Sequence, residues 1–176
     1  GEKDTIMTPK DSIRYYKHFL QSGLMSMEPQ TGNIKAWVGG INYKYFQYDH
    51  VGQGARQVGS TFKPFVYATA IEQLNMSPCD SIIDAPFTMP AGRHHATEDW
   101  SPRNSNNKYI GMVTLKKALA NSINTISAKL MDKVGPEAVV KLTHKLGVKS
   151  EIPTQASIAL GAVDITVEDM VAAYGT

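Results

Sequence analysis

The chain has 176 residues, one cysteine and a formal net charge of +2, with 18 Lys and Arg residues against 16 Asp and Glu residues. This length corresponds to about one domain, which can bury roughly 70% of its unfolded surface without crosslinks. The charges are spread along the chain, which excludes the basic stripe typical of a nucleic-acid-binding protein. No apolar run approaches the roughly 20 residues needed to cross a bilayer, so no membrane-spanning segment is predicted.

The N-terminal part of the sequence predicts one helix and one hairpin. The segment Thr8–Asp11 supplies an N-cap hydroxyl, a proline at the first helical position and an acidic residue, so a helix is expected from there to about Leu20. Residues 23–27 and 34–38 are strand-like runs separated by turn residues, and we expect them to form an antiparallel hairpin. The tyrosine-rich loop at 42–48 is expected to supply packing or rim residues.

A second helix is predicted to begin at or just after Ser60. Its apolar residues follow helical spacing and should form one buried face: Phe62, Phe65, Val66, Ala70 and Leu74. Residues 75–111 contain four prolines and several Gly and Asn residues. We therefore expect a long irregular connection on the surface of the domain, of a length that is more often functional than not.

The C-terminal half predicts more helices. One is capped by Thr114 and could break at residues 121–124, which are poor helix formers. Another starts at Pro136 and ends before Gly147, and a last one starts after Thr166. This order of elements is typical of an α+β fold, with helices packed on one side of an antiparallel sheet.

Ser60 and Lys63 are spaced as a nucleophile and its base would be on one face of a helix. Pro64 removes the amide that would bond to the Ser60 carbonyl, which loosens the turn that presents the serine. The helix N-terminus would also direct unpaired N–H groups toward a developing oxyanion. The alternative is an ordinary helix-starting serine beside a solvated lysine. The same spacing recurs at Ser105 and Lys108, in a polar stretch with no apolar face to hold it rigid.

A second candidate cluster is Ser122 and Asn124. In a continuous helix Ser122 falls on the buried stripe and Asn124 lies off it, and a buried hydroxyl needs partners. Beside Ser60 and Lys63 this pair could relay a proton and orient a peptide-like substrate. The alternative is a helix break capped by its own side chains. To act as a base, Lys63 would need a pKa below its usual value of about 10.4, through burial or neighbouring positive charge.

Metal and triad chemistry are not predicted. The adjacent histidines His94 and His95, with Glu98 and Asp99 nearby, lack the spacing of a metal cage. The other histidines are scattered, so no Ser-His-Asp arrangement follows from neighbouring residues. We therefore expect no metal and no cofactor.

Two stretches together resemble a known family. Residues 57–65, from Gln57 to Phe65, and residues 118–124, from Ala118 to Asn124, are similar to motifs of the transpeptidase domain of class A, bifunctional penicillin-binding proteins. Other agreeing stretches lie at residues 27–32, 37–40, 100–104, 109–115 and 159–162. The resemblance implies that residues 1–21 are a linker or N-terminal helix and that residues 22–176 are the N-terminal part of a transpeptidase domain. It also implies a fold like that of penicillin-binding proteins and serine β-lactamases, truncated before the last sheet strands.

The resemblance implies a role for each candidate residue. Ser60 would be the acylated nucleophile, Lys63 its proton acceptor, Ser122 a proton relay toward the leaving nitrogen, and Asn124 a ligand of the substrate amide. The reaction would be D-Ala-D-Ala transpeptidation between peptidoglycan stem peptides, inhibited by β-lactam antibiotics. The parent protein would be anchored in the bacterial inner membrane, face the periplasm and carry a glycosyltransferase domain.

One departure from the family pattern limits these expectations. The family has a third motif, Lys-Thr/Ser-Gly, whereas here Lys149 and Ser150 are followed by Glu151. The resemblance implies that the strand carrying this motif supplies a second oxyanion donor. Loss of one such donor costs roughly 10²–10³ in rate, so this chain is expected to have little or no activity by itself. The alternatives are a serine β-lactamase or β-lactam sensor of the same fold, or a non-catalytic peptidoglycan-binding module.

Overall fold

The structure, a computed structural model, describes residues 4–176. Within that range the chain alternates helices with short strands. The helices are α1 Pro9–Lys17, α2 Lys63–Leu74, α3 Leu115–Ala120, α4 Asn124–Val134, α5 Pro136–Lys145 and α6 Val167–Gly175. The strands are β1 Leu24–Met27, β2 Ile34–Val38, β3 Arg56–Gln57, β4 Ser81–Asp84, β5 Gly111–Thr114 and β6 Asp164–Ile165. The predicted α+β content is confirmed.

The strands pair into separate two-stranded antiparallel sheets. The β1–β2 pair is the predicted hairpin, with Met25 opposite Trp37 and an irregularity between Ser26 and Met27. Strand β3 pairs with β6, and β4 pairs with β5. The predicted single sheet is therefore divided over three places of the described chain, and helices supply most of the core.

The first helix starts as predicted and ends earlier. The Thr8 hydroxyl accepts a hydrogen bond from the Asp11 amide at 3.2 Å, which confirms the N-cap. The helix ends at Lys17, three residues short of the predicted Leu20. Because α1 has no buried residue, tertiary packing does not support a further turn.

The second helix lies at the centre of the core. Four of its five predicted core residues, Phe62, Phe65, Val66 and Ala70, are buried, and α2 packs against α4 and α5. The fifth, Leu74, is exposed, because α2 ends there and Asn75 turns into the left-handed conformation. Burying a large apolar side chain contributes about 1.5–3 kcal/mol, so this face anchors the start of the helix firmly.

The prediction of an irregular connection over residues 75–111 was wrong in part. Strand β4 lies inside it and pairs with β5, with Ile82 opposite Val113. This strand was not predicted because Ser81–Asp84 does not alternate apolar and polar residues, and Ile83 is exposed. The pair brings Asp84 to the beginning of β5 and closes the connection back onto the core.

The break predicted at residues 121–124 is confirmed, since α3 ends at Ala120 and α4 begins at Asn124. Thr114 caps α3 through the Lys117 amide, at 3.3 Å. Pro136 is the first residue of α5, and Thr166 caps α6 through the Asp169 amide. These caps are local signals, and each lies where the sequence predicted it.

A short backbone ladder holds the segment before α2. Beyond the β3–β6 pair, the Val58 amide donates to the Val163 carbonyl at 3.0 Å and the Gly59 amide donates to the Gly161 carbonyl at 3.1 Å. Gly161 has φ +75°, and a Cβ placed on it would collide with the Gly59 carbonyl. The sequence predicted neither this ladder nor the close approach of the two glycines.

We predict that Gly161→Ala lowers the free energy of unfolding by about 2–5 kcal/mol, the sum of left-handed backbone strain and overpacking against Gly59. Gly92→Ala is the matched control, because Gly92 has φ +83° but, among the described residues, no neighbouring atom within 4 Å of its Cβ position. It should lose only the strain, about 1–2 kcal/mol. Urea unfolding of both variants measures the difference, and equal losses would show that the contact with Gly59 is unimportant.

Candidate active site

Ser60 is exposed at the start of the second helix. It lies in a 3₁₀ turn, Gly59–Phe62, and the Lys63 amide closes that turn by donating to the Ser60 carbonyl. Pro64 has no N–H for the longer α-helical bond, so the α-helix begins only at Lys63. Within residues 4–176, no hydrogen bond engages the Ser60 hydroxyl. The serine is therefore presented at the surface by a rigid turn.

Lys63, by contrast, is buried in the protein and only 1% exposed. Its Nζ donates to three oxygens: the Ser122 carbonyl at 2.7 Å, the Ser122 hydroxyl at 2.9 Å and the Asn124 Oδ1 at 2.6 Å. A lysine ammonium has three donors, so all of them are used. The structure thus brings Lys63, which follows Ser60 by three residues, into direct contact with Ser122 and Asn124.

The environment of Lys63 favours its neutral form. Burial lowers the pKa of Lys63 from 10.5 to about 8. In the part of the chain that the structure describes, no carboxylate forms an ion pair with its Nζ, and its three acceptors are neutral oxygens. Of the two causes considered from sequence, burial is the one that operates here.

The prediction that Ser122 lies on a buried helical stripe was wrong, because the helix does not continue through it. Ser122 is an exposed residue between α3 and α4, with φ +53°. Its amide donates to the Leu119 carbonyl at 2.9 Å, and the Ile123 amide donates to the Ala118 carbonyl at 3.0 Å. These two bonds form a Schellman motif, in which the position of Ser122 is usually glycine.

Asn124 is the first residue of α4 and is held on three sides. Its side-chain Oδ1 accepts from Lys63, its Nδ2 donates to the Arg103 carbonyl at 2.8 Å, and its backbone amide donates to Asn104 Oδ1 at 3.0 Å. The sequence argument placed Asn124 beside Ser122 but did not identify Asn104 as a partner. The one signal in the sequence that could have identified Asn104 was its position in the stretch 100–104, which is among the stretches that resemble the family.

Other candidates lie apart from this cluster. Lys108, in the second copy of the Ser-Lys spacing, is exposed in a loop. His94 lies 3.0 Å from the Asp132 carbonyl, and His95 lies 3.5 Å from a Glu137 carboxylate oxygen. From residue 4 onward, no three His, Cys, Asp or Glu side chains converge as metal ligands would. Over the same residues, each helix is too short or too polar to traverse a bilayer.

Two cavities border the site. A predominantly apolar groove of about 650 Å³ runs between α6 and the β1–β2 hairpin and reaches Thr61, the residue after Ser60; Ile165 and Tyr174 also line it. A smaller cavity of about 330 Å³ lies behind Ser122 and is lined by polar groups that include Asn104 and Lys117. Ser122 thus lines the smaller cavity, and the groove comes within one residue of Ser60 along the chain.

The titration of Lys63 tests its environment. In a chain with isotope-labelled lysine side chains, we predict one resonance with a midpoint near pH 8, whereas exposed lysines titrate near about 10.4. Lys63→Met should remove that resonance, and Lys108→Met should leave it in place. Since the unfolded chain holds this proton up to a higher pH, the contribution of Lys63 to stability should rise between pH 8 and 10.5. A Lys63 midpoint above pH 10 would contradict this description.

The left-handed conformation of Ser122 makes a second prediction. Both Ser122→Ala and Ser122→Gly remove the hydroxyl that contacts Lys63, but only glycine adopts φ +53° without strain. We expect the glycine variant to be about 1–2 kcal/mol more stable than the alanine variant, measured by thermal unfolding. Equal stability would show that no strain is stored at this residue.

Comparison with protein families and curated proteins identifies relatives of this chain. The penicillin-binding protein transpeptidase domain model matches residues 23–174, and the penicillin-binding protein middle domain model matches residues 1–20. Penicillin-binding protein 1A of Neisseria flavescens is 38% identical over 167 residues, covering 94% of this chain and 20% of the relative. That of Aquifex aeolicus (strain VF5) is 41% identical over 158 residues, covering 88% and 21%. The chain thus spans about a fifth of the length of these relatives.

Solved structures show the same likeness. Penicillin-binding protein 1A from Haemophilus influenzae superposes with a TM-score of 0.81 at 29% identity, covering 88% of this chain and 23% of that one. PonA1 from Mycobacterium tuberculosis, in a structure described as a complex with penicillin V, gives a TM-score of 0.73 at 26% identity, covering 95% and 46%. The matched residues and the shared fold lead to one conclusion: the chain belongs to the family of penicillin-binding protein transpeptidase domains.

Proposed function

We propose that this chain supplies the acylation machinery of a peptidoglycan D,D-transpeptidase, with Ser60 as nucleophile. One observation carries the proposal: a buried Lys63, with a pKa lowered to about 8, bonds to Ser122 and Asn124 within one turn of an exposed serine. A serine hydroxyl is a weak nucleophile until a neighbouring base takes its proton. A lysine that is partly neutral near physiological pH can be that base.

The proposed first step forms an ester. Neutral Lys63 accepts the Ser60 proton, directly or through the Ser122 hydroxyl, while Ser60 Oγ bonds to the carbonyl carbon of the penultimate D-Ala. The tetrahedral intermediate then collapses, the C–N bond breaks, and the terminal D-Ala leaves with a proton returned from Lys63 through Ser122. In the second step, the amine of a neighbouring stem peptide attacks the ester carbonyl carbon and passes a proton to neutral Lys63. The ester C–O bond then breaks, Ser60 Oγ takes that proton from Lys63, and the cross-linked peptide is released.

Backbone geometry supports this chemistry at the oxyanion. The Ser60 amide lies at the start of the 3₁₀ turn and makes no hydrogen bond to any residue from 4 to 176. Such an amide can donate to the oxygen of the attacked carbonyl, where negative charge develops. The N-terminal position in the turn adds the positive end of the helix dipole at the same place.

Asn124 can contact the substrate without leaving its place. Its Nδ2 carries two hydrogens, and one of them is used by the Arg103 carbonyl. The second hydrogen has no partner within the described range, so it can donate to a substrate amide carbonyl. Asn124 is half-buried, so the residue is not closed off from solvent.

The third family motif affects how fast the chain can react. The sequence contains no Lys-Thr-Gly or Lys-Ser-Gly. The nearest match, Lys149-Ser150, has a different role, because both backbone amides and the Ser150 hydroxyl bond to Asp169 Oδ2 at 2.6–3.0 Å. We expect the 176-residue chain to acylate slowly or not at all, since one missing oxyanion donor costs roughly 10²–10³ in rate.

The proposed partners follow from the same chemistry. They are peptidoglycan stem peptides as donors and acceptors, and β-lactam antibiotics as inhibitors, in keeping with the penicillin V complex described for PonA1. The place of action would be the periplasmic side of the bacterial inner membrane, in a membrane-anchored parent protein with a glycosyltransferase domain. No metal or cofactor takes part in the proposed steps.

The test is covalent labelling by benzylpenicillin, read as intact mass. Two forms are compared: the 176-residue chain, and a chain extended at its C-terminus by a segment that carries Lys-Thr/Ser-Gly. We expect the extended form to gain one penicillin, to lose that reaction in Ser60→Ala and to keep it in Ser105→Ala. The 176-residue form should react at least about 10²-fold more slowly.

Other outcomes would identify the alternatives. An extended chain that folds but gains no mass would contradict the proposal and favour a non-catalytic peptidoglycan-binding module. An adduct that is hydrolysed within seconds would favour a serine β-lactamase, because a transpeptidase holds a β-lactam as a stable acyl-enzyme. An adduct that remains in Ser60→Ala would show that another residue is the nucleophile.

A further inference from the structure

The orientation of the Asn124 side chain is set by two neighbours of opposite character. An asparagine amide has a donor end and an acceptor end of similar shape, so surrounding groups must distinguish them. Here the Arg103 carbonyl, which only accepts, lies 2.8 Å from Nδ2, and Lys63 Nζ lies 2.6 Å from Oδ1. Lys63 therefore keeps Asn124 Oδ1 as an acceptor only while the start of α4 stays in register with residues 103–104, that is, in a fixed position beside them.

Asn104 fixes that register. It is 7% exposed, and its Oδ1 accepts from the backbone amides of Asn124 at 3.0 Å and Thr125 at 3.2 Å. These are the first two amides of α4, whose own N-cap residue, Ile123, makes no side-chain cap bond. A side chain 20 residues earlier in the chain therefore does the work of an N-cap.

Asp84 in turn orients Asn104. This carboxylate is 2% exposed and accepts from Asn104 Nδ2 at 2.9 Å, the Thr125 hydroxyl at 2.5 Å and the Ile110 amide at 2.9 Å. Burial acts to raise the pKa of Asp84, but these donors and the charge of Lys129 outweigh it, and the pKa is lowered. Because a carboxylate only accepts, it holds the Nδ2 end of Asn104 toward itself and the Oδ1 end toward α4.

We propose that Asn104, oriented by Asp84, is a positioning residue for Lys63, acting through the start of α4 and the side chain of Asn124. The chain of hydrogen bonds runs from the end of β4 to the Lys63 amine: Asp84 to Asn104, Asn104 to the Asn124 amide, and Asn124 Oδ1 to Lys63, with Arg103 holding Nδ2. The catalytic meaning of this arrangement rests on the proposed function, whereas its effect on Lys63 does not.

The experiment measures the titration midpoint of the Lys63 side chain by NMR in the full chain. Asn104→Ala removes the acceptor for α4, and Asn104→Asp keeps its volume but places a carboxylate against Asp84. Both changes should loosen the start of α4 and admit water to the Lys63 amine. The titration midpoint of Lys63 should then rise by roughly one pH unit or more, toward that of an exposed lysine. In a form that acylates, the rate at pH 7 should fall about tenfold for each unit.

Matched controls separate positioning from general stability. Asn106→Ala changes the same residue type in the same loop, and the Asn106 Oδ1 accepts from the Lys108 amide at 2.9 Å. Thr143→Ala removes a buried hydrogen bond to the Val139 carbonyl in α5, away from the site. Thr143→Ala should lower the unfolding temperature, and both controls should leave the Lys63 midpoint unchanged.

An exchange of the two partners is the strictest test. When Asp84→Asn is combined with Asn104→Asp, the amide introduced at position 84 can donate to the carboxylate introduced at position 104, which still accepts from α4. The double variant should recover at least half of the midpoint shift of Asn104→Asp. A midpoint near pH 8 in folded Asn104→Ala or Asn104→Asp would overturn the inference. If the Asn104 variants shift the Lys63 midpoint but penicillin does not label the extended chain, the proposed function is overturned and this inference stands.

Discussion

The site depends on one constraint: a lysine amine is buried, and among residues 4–176 no carboxylate forms an ion pair with it. Lys63 Nζ donates to oxygens of Ser122 and Asn124, which lie 59 and 61 residues further along the chain. Burying an ammonium is costly unless acceptors are placed around it, and neutral acceptors leave its pKa low. The packing of α2 against α4 therefore serves two purposes, since it builds the core and also places the amine.

Two strained or crowded backbone positions support that arrangement from opposite sides. Ser122 occupies the left-handed position at the end of α3, which turns both its carbonyl and its hydroxyl toward Lys63. Gly161 lies against the Gly59 carbonyl and holds the segment that presents Ser60. Strain of this kind persists only where the surroundings determine the conformation, and it is typical of functional sites. Here the surroundings are the core on one side and the β3–β6 ladder on the other.

The elements predicted correctly are those whose signals are local. Caps at Thr8, Thr114 and Thr166 and a proline at Pro136 act within one turn, so the sequence shows them directly. The strands β3, β4, β5 and β6 were missed because such short strands exist only through their partners, and a two-residue strand has no detectable period. Ser122 was placed on the wrong surface because a helical pattern was extended through a residue that in fact ends the helix.

The amino-acid sequence by itself determined the helices, the spacing of Ser60 and Lys63, and the pair of motifs that indicate the family. Only the tertiary structure decided that Lys63 bonds to Ser122 and Asn124, that burial lowers its pKa, and that Asp84 and Asn104 hold the start of α4. The physical reason is distance along the chain. Helical periodicity and capping act over a few residues, whereas desolvation and the direction of a buried amide depend on groups that folding brings together from 20 to 61 residues apart.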